Sequence, residues 1–285
     1  MTAREPVMRP PLLLPVALAA AVAPVAACAE GGPWLCPTEA PTGPLRPLAD
    51  LRYVAHAFGS PDGLAQSEHY TESRAGFDAS YHNGFRVYEI DLVTLADGTV
   101  AAVHDQNEDE YGLDRGFAEL TRPELEGRLW KDKYPVLFGE DIIGLMVDHP
   151  DVWMILDTKW DHAAIARRLV ELSPDDGVRD RIVPHLVSAA HVEALTAIYP
   201  FPERMLARYQ WDGTDAEIEQ RMVDLGIDDV MMWWNWRWNE TIQAAMEARG
   251  FHVWVHSPAE HDLIHSFTDR GIGVYSDGYI ACGAR

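Results

Sequence analysis

The sequence is short of positive charge, of cysteine and of long apolar runs, and each shortage narrows what the chain can be. Its 285 residues carry 23 Lys and Arg against 45 Asp and Glu, a formal net charge of −22. A surface of that sign repels phosphate backbones, which argues against nucleic acid as a partner, and it disfavours adsorption to anionic lipid headgroups. There are three cysteines. Should Cys28 be consumed as described below, Cys36 and Cys282 remain near the two ends of the mature chain, a pair that could staple the N-terminal arm to the C-terminus in an oxidising compartment or stay as two separate thiols. The longest apolar stretch, residues 12–27, is too short and too broken by proline for a comfortable membrane span. No internal repeat is visible, and nothing beyond residue 50 is of low complexity.

What is present begins with a leader. Arg4 and Arg9 precede the apolar stretch, which closes on Val25-Ala26-Ala27-Cys28. That ending resembles the bacterial lipoprotein box, in which Cys28 would be lipidated and become the new N-terminus. Ala27-Cys28-Ala29 also suits an ordinary small-x-small cleavage site. Residues 1–27 are therefore expected to be an export signal, and the protein a cell-envelope lipoprotein or a secreted one, touching a membrane only through an anchor at Cys28. Residues 28–50 are rich in Pro, Gly and Ala and read as a tether. The remaining residues, 51–285, suit two small domains or one (β/α)8 barrel, and a hydrophobic content of 47% is enough for an ordinary core.

From residue 51, short apolar runs alternate with longer segments of helical period. Strands are expected at 52–57, 86–93, 152–157, 182–187, 204–208, 229–233, 252–256 and 273–276. Helices are expected at 70–83, 138–148, 161–172, 189–199, 215–225, 239–249 and 259–270. Eight strands with helices between them is the count of a TIM (β/α)8 barrel, an α/β fold. The glycines of Asn83-Gly84-Phe85 and Arg249-Gly250-Phe251 read as helix stops. The polar segment 106–136 is longer than an ordinary loop and is expected to be an insertion over the barrel mouth.

Polar residues collect at the C-terminal ends of these strands, where barrels of this type build their sites. The first strand ends at His56. The second carries Glu89 and Asp91, two residues apart and hence on one face of a strand that otherwise reads as buried. Two buried carboxylates on one face repel each other and lose hydration unless a cation offsets both. A third acid, Asp157, ends the third strand, and three oxygen donors favour a hard divalent ion, Mg²⁺ or Ca²⁺. His104-Asp105 follows Gly98–Val103, and Lys159 lies two residues beyond Asp157.

The order of these pieces resembles glycerophosphodiester phosphodiesterases, barrels of the phospholipase-C-like phosphodiesterase type. The resemblance rests on Tyr53-Val54-Ala55-His56-Ala57-Phe58-Gly59, on Gly84-Phe85-Arg86-Val87-Tyr88-Glu89-Ile90-Asp91-Leu92 and on Asp97-Gly98-Thr99-Val100-Ala101-Ala102-Val103-His104-Asp105. Phe138-Gly139-Glu140-Asp141, Asp157-Thr158-Lys159 and the closing Val274-Tyr275-Ser276-Asp277-Gly278 extend it over residues 52–280. It implies His56 and His104 as the general acid/base pair, Glu89, Asp91 and Asp157 as ligands of one divalent cation, and Lys159 beside the phosphate. The implied substrate is a small-molecule or lipid-headgroup phosphodiester, which is hydrolysed or, in phospholipase-C/D-like relatives, closed to a cyclic phosphate. A barrel that binds a phosphoryl ligand without turnover is the alternative from another class.

Departures from the family pattern put the substrate in doubt. Ala57 stands where an Arg usually follows the first His, Tyr70-Thr71-Glu72-Ser73 replaces Pro-Glu-Asn-Thr, and Asp157 replaces the more common Glu. Residues 231–239 hold four tryptophans, Trp233, Trp234, Trp236 and Trp238. They read either as shell packing or as an aromatic wall at the mouth, in which Arg237 would bind the phosphate that Ala57, with no cationic side chain, cannot hold. Trp254 and His256 are further substrate-pocket candidates. The other histidines show no ligand spacing.

Overall fold

The computed structural model describes residues 43–61 and 68–277. The leader, Cys28, Cys36, Cys282 and Gly278 lie outside these residues. Eight parallel strands form the barrel: β1 (Tyr53–Ala55), β2 (Val87–Thr94), β3 (Trp153–Thr158), β4 (Ile182–Leu186), β5 (Met205–Ala207), β6 (Asp229–Trp233), β7 (His252–His256) and β8 (Gly273–Ser276). Each pairs with the next, and β8 pairs with β1, which closes the sheet. Between them run α1 (Arg74–His82), α2 (Gly139–Asp148), α3 (His162–Leu172), α4 (Ala189–Thr196), α5 (Asp215–Leu225), α6 (Glu240–Glu247) and α7 (His261–Thr268).

Sequence chemistry accounts for the punctuation. Ser73 accepts from the Gly76 backbone N–H at 3.1 Å and Asn239 from that of Ile242 at 2.9 Å, side-chain caps that satisfy free donors at the starts of α1 and α6. Gly84 and Gly250 take φ of +93° and +84° after α1 and α6, values a side chain disfavours. Most boundaries shift by one to three residues, and two of the departures have a backbone cause. β1 stops at Ala55 because Ala57 and Phe58 turn to φ of +48° and +65°, where the Ala57 N–H donates to Glu89 Oε2 at 2.9 Å. α1 starts four residues late because Tyr70 and Glu72 hold φ of +60° and +47°.

Strand alternation sorts the core. Outward residues such as Ile90, Leu156 and Val255 pack beneath the helices in the larger cluster. Inward residues, among them Val54, Ile155, Val183, Met231, Trp254 and Tyr275, fill the barrel as a second cluster. The insertion has a core of its own around Tyr111, Phe117, Leu125 and Trp130. It leaves the barrel through strand Val100–Ala102, antiparallel to β2 with Leu92 opposite Ala102, and returns through Leu137–Phe138 to α2. Its hairpin reaches back to the mouth, where Lys133 and Tyr134 both donate to the Glu68 carboxylate.

Candidate active site

Strand register assembles the acids. β2 and β3 are parallel with Asp91 beside Asp157, and the pleat puts Glu89 on the same inward face of β2. One ligand oxygen from each of Glu89, Asp91 and Asp157 lies within 4.8 Å of the other two. Glu89 and Asp91 are each 1% exposed, and Asp157 is partly open to the mouth. Burial, then the neighbouring Asp91 charge, pushes the Glu89 carboxyl up to about 8. Burial would also raise Asp157, but His185 and Lys159 outweigh it and hold that carboxyl below the usual range. Asp91 Oδ2 is buried without a hydrogen-bond partner among the described residues. These are the marks of a donor set short of positive charge, and an all-oxygen set of three carboxylates fits Mg²⁺ or Ca²⁺.

Lys159 lies on the carboxylates themselves. Its ammonium pairs with Asp91 Oδ1 and, at 3.0 Å, with Asp157 Oδ2. Burial disfavours the charge, but Asp91, Asp157 and Glu89 together raise its pKa.

His56 follows β1, next to the strand that delivers Asp277, because Ala55 pairs with Ser276 across the barrel seam. Its Nδ1 is 2.5 Å from Asp277 Oδ1, and its Nε2 is 3.8 Å from Glu89 Oε2 and 3.0 Å from His256 Nε2. Burial works against the charged imidazole, but Asp277, Glu89 and Asp91 prevail and lift His56 to about 9. The converse holds for His256, whose burial and charged neighbour His56 press it well below its ordinary value. His104 stands more open, 26% exposed, with Nδ1 3.6 Å from Asp105 Oδ1. Its strand hangs on β2 through the Val103 N–H, which donates to the Asp91 carbonyl at 3.1 Å. The Tyr70 ring stands between the two histidines, its centroid 4.9 Å from each.

The structure brings His56, His104, Glu89, Asp91, Asp157, Lys159 and His256 to one mouth, and it sends two further candidates elsewhere. Trp254 is a correction. It points inward one pleat deeper than His256, is 1% exposed, and donates from Nε1 to Asp229 Oδ1 at 2.7 Å, so it fills the barrel core. The tryptophan run also divides. Trp233 faces the mouth, 4.8 Å from the His256 ring, whereas Trp238 packs on Phe267 at 4.7 Å in the helix shell. Trp236 is 57% exposed, and the Arg237 guanidinium lies over its ring at 4.4 Å rather than on the acids.

Four neighbours have no clear mark in the sequence. Asp277 stands there only as part of a closing element, yet it is the partner of His56. Glu72 is fully buried, and neither carboxylate oxygen has a hydrogen-bond partner among the described residues; burial, then Asp91 and Glu89, holds its carboxyl well above the usual range. It lies within the segment that departs from the family signature. His185 sits inward on β4 with Nδ1 3.9 Å from Asp157 Oδ1 and Nε2 2.9 Å from the Tyr275 hydroxyl. Period-two alternation along Ile182–Leu186 would have pointed it inward. Tyr70 carries no signal of its own.

No protein-family model matches the sequence, and no curated protein does. Solved structures do match. A protein of Galdieria sulphuraria described as a candidate glycerophosphodiester phosphodiesterase superposes with a TM-score of 0.67 at 14% identity, over 80% of this chain and 94% of its own. A phosphodiesterase of Oleispira antarctica, solved in complex with the product sn-glycerol-3-phosphate, gives 0.64 at 15%, over 79% and 92%. A glycerophosphodiester phosphodiesterase of Agrobacterium tumefaciens gives 0.61 at 15%, over 79% and 94%. The chain is a TIM (β/α)8 barrel, and its fold is the one these glycerophosphodiester phosphodiesterases share.

Proposed function

We propose that the protein is a divalent-cation-assisted phosphodiesterase that cleaves glycerophosphodiesters or related lipid-headgroup diesters by histidine acid/base chemistry. The observation that carries the reading is the triad of buried Glu89 and Asp91 with half-buried Asp157, oxygens within 4.8 Å, flanked by His56 and His104 with one tyrosine ring between them. A Mg²⁺ or Ca²⁺ held by the triad would supply positive charge against the phosphoryl oxygens.

The side chains divide the proton work. His56, kept cationic by Asp277, Glu89 and Asp91, carries the proton on Nε2 that a departing alkoxide needs. His104, on the open side of the mouth, accepts the proton of the attacking hydroxyl, whether water or a hydroxyl of the substrate itself. The new P–O bond forms on the His104 side as the ester P–O bond breaks on the His56 side, and the electron pair of the broken bond leaves with the oxygen that His56 protonates. Lys159 holds Asp91 and Asp157 in place and presents its charge toward the same oxygens. A diester that reaches both imidazoles takes the place of the Tyr70 ring, with Trp233 and Tyr209 as the aromatic flank of the pocket.

The test is turnover of bis(p-nitrophenyl) phosphate and glycerophosphocholine with Mg²⁺, with Ca²⁺ and with EDTA, beside His104→Ala. Activity that needs the cation and falls about 10²–10⁴-fold in the variant is the expected result. Cation binding by calorimetry with no turnover of any diester would move the protein to the ligand-binding alternative. Phosphorus NMR of the products separates hydrolysis from ring closure.

A further inference from the structure

The contact between His56 and His256 is not explained by packing alone. Their Nε2 atoms are 3.0 Å apart, with ring planes at 84° and centroids 4.5 Å apart, so one nitrogen donates to the other in near-perpendicular geometry. Nδ1 of His56 is already committed to Asp277 at 2.5 Å. His256 Nδ1, in contrast, is buried with no hydrogen-bond partner among the described residues. A buried unpaired ring nitrogen costs about 1–3 kcal/mol. A phenylalanine would meet the neighbouring rings of Trp233 and Tyr275, at 4.8 and 5.5 Å, without that cost. What an imidazole adds at this position is an acceptor for the Nε2–H of His56.

We propose that His256 is a positioning residue for the general acid: Asp277, His56 and His256 form one hydrogen-bonded chain that holds the His56 ring at both nitrogens. The proposal rests on the phosphodiesterase reading for the role of His56. Held only at Nδ1, the ring could swing about the Asp277 contact. Held at both, its Nε2–H stays at the mouth, beside Glu89 at 3.8 Å. When a leaving oxygen arrives, the Nε2 proton passes from one acceptor, His256 Nε2, to another, the alkoxide, without a ring flip. His56 is left neutral with its remaining proton on Nδ1 toward Asp277. Along β7 the pleat makes this placement, since His256 is the last inward residue of the strand and pairs in register with Trp233 of β6.

Two measurements test the chain, one of them without substrate. In protein labelled with ¹⁵N-histidine, the ¹⁵N spectrum should show a through-hydrogen-bond coupling between Nε2 of His56 and Nε2 of His256; its absence from the folded wild type overturns the proposal. In turnover of glycerophosphocholine, whose departing alkoxide needs the proton, His256→Phe should lower kcat about 10-fold or more, with KM changed less than about twofold, as misalignment of the acid predicts. His256→Gln, whose amide oxygen can accept from His56, should recover most of that activity. Full kcat in a folded His256→Phe, or an equal fall in both variants, overturns the proposal. Coupling present in a protein that turns over no diester would leave the chain standing and remove the phosphodiesterase reading instead.

Discussion

Trp254 and His256 lie two residues apart on the inward face of one strand, and they belong to different chemistries. Trp254 is closed in, its Nε1 satisfied by Asp229 and its ring packed so tightly on Gly273 that a Cβ there would come within 2.0 Å of it. His256 borders a mouth where Glu72, Asp91 and His256 itself carry buried polar atoms without partners among the described residues. One pleat separates a satisfied floor from a mouth of like charges and unpaired groups. The floor serves stability. The mouth spends part of that stability on groups that a ligand and a cation would complete.

That contrast can be broken or sharpened by substitution. The largest effect should come from Asp91→Asn, which removes one of two facing buried carboxylates: turnover of a model diester should fall about 10²–10³-fold or more, while the melting temperature measured without divalent cation holds or rises. A fall in melting temperature equal to that of a core mutant would show Asp91 to be structural. Gly273→Ala should do the reverse, forcing the Trp254 ring from its place at a cost of about 1–3 kcal/mol or more. Differential scanning calorimetry should then show a melting point lower by roughly 2–4 °C per kcal/mol, with cation affinity retained by the folded fraction.

A smaller effect concerns pH. Glu89 and His56 both titrate higher in the folded chain than their ordinary values of 4.5 and 6.5, at about 8 and about 9. A raised folded value gives stability that is complete below the unfolded value and is lost as pH climbs through the folded one. Without divalent cation, thermal stability should therefore decline from about pH 4.5 for Glu89 and about pH 6.5 for His56, and flatten above about pH 9. Saturating Mg²⁺ or Ca²⁺ should lift the alkaline end, because binding to the folded state alone stabilises it. A stability curve that stays flat from about pH 6 to 9 without cation would contradict the assignment. The smallest effect belongs to Trp236→Ala. That ring is exposed, with the Arg237 guanidinium over it, so stability should move by less than about 0.5 kcal/mol and turnover of a small diester should not change.

The barrel was legible because eight short apolar runs alternate with seven helical stretches, and β6, β7 and β8 begin and end where the pattern places them. Departures at the end of β1 and the start of α1 sit where Ala57, Phe58, Tyr70 and Glu72 take left-handed backbone conformations. Pattern and propensity assume regular backbone, and Ala57, Tyr70 and Glu72 serve the mouth rather than the local structure, while Phe58 turns its ring into the core against Phe77 and Tyr88. Within the site, Glu89 and Asp91 could be read as a pair because two residues on a strand share a face. Asp277 as the partner of His56, and His185 as the neighbour of Asp157, could not be paired that way, for 221 residues separate the first two and the register of closed strands is a property of the whole sheet.

The sequence by itself determined the alternation of strands and helices, the pair of acids on β2 and the acid and lysine of β3, local facts of spacing and residue type, while the two histidines were paired through the family resemblance. Tertiary structure alone decided which inward residue became floor and which became mouth, placed Tyr70 between the histidines, and joined His256 to His56. Those outcomes depend on strand register and barrel closure, which bring residues together across the ring according to their height along the strand and not their distance along the chain.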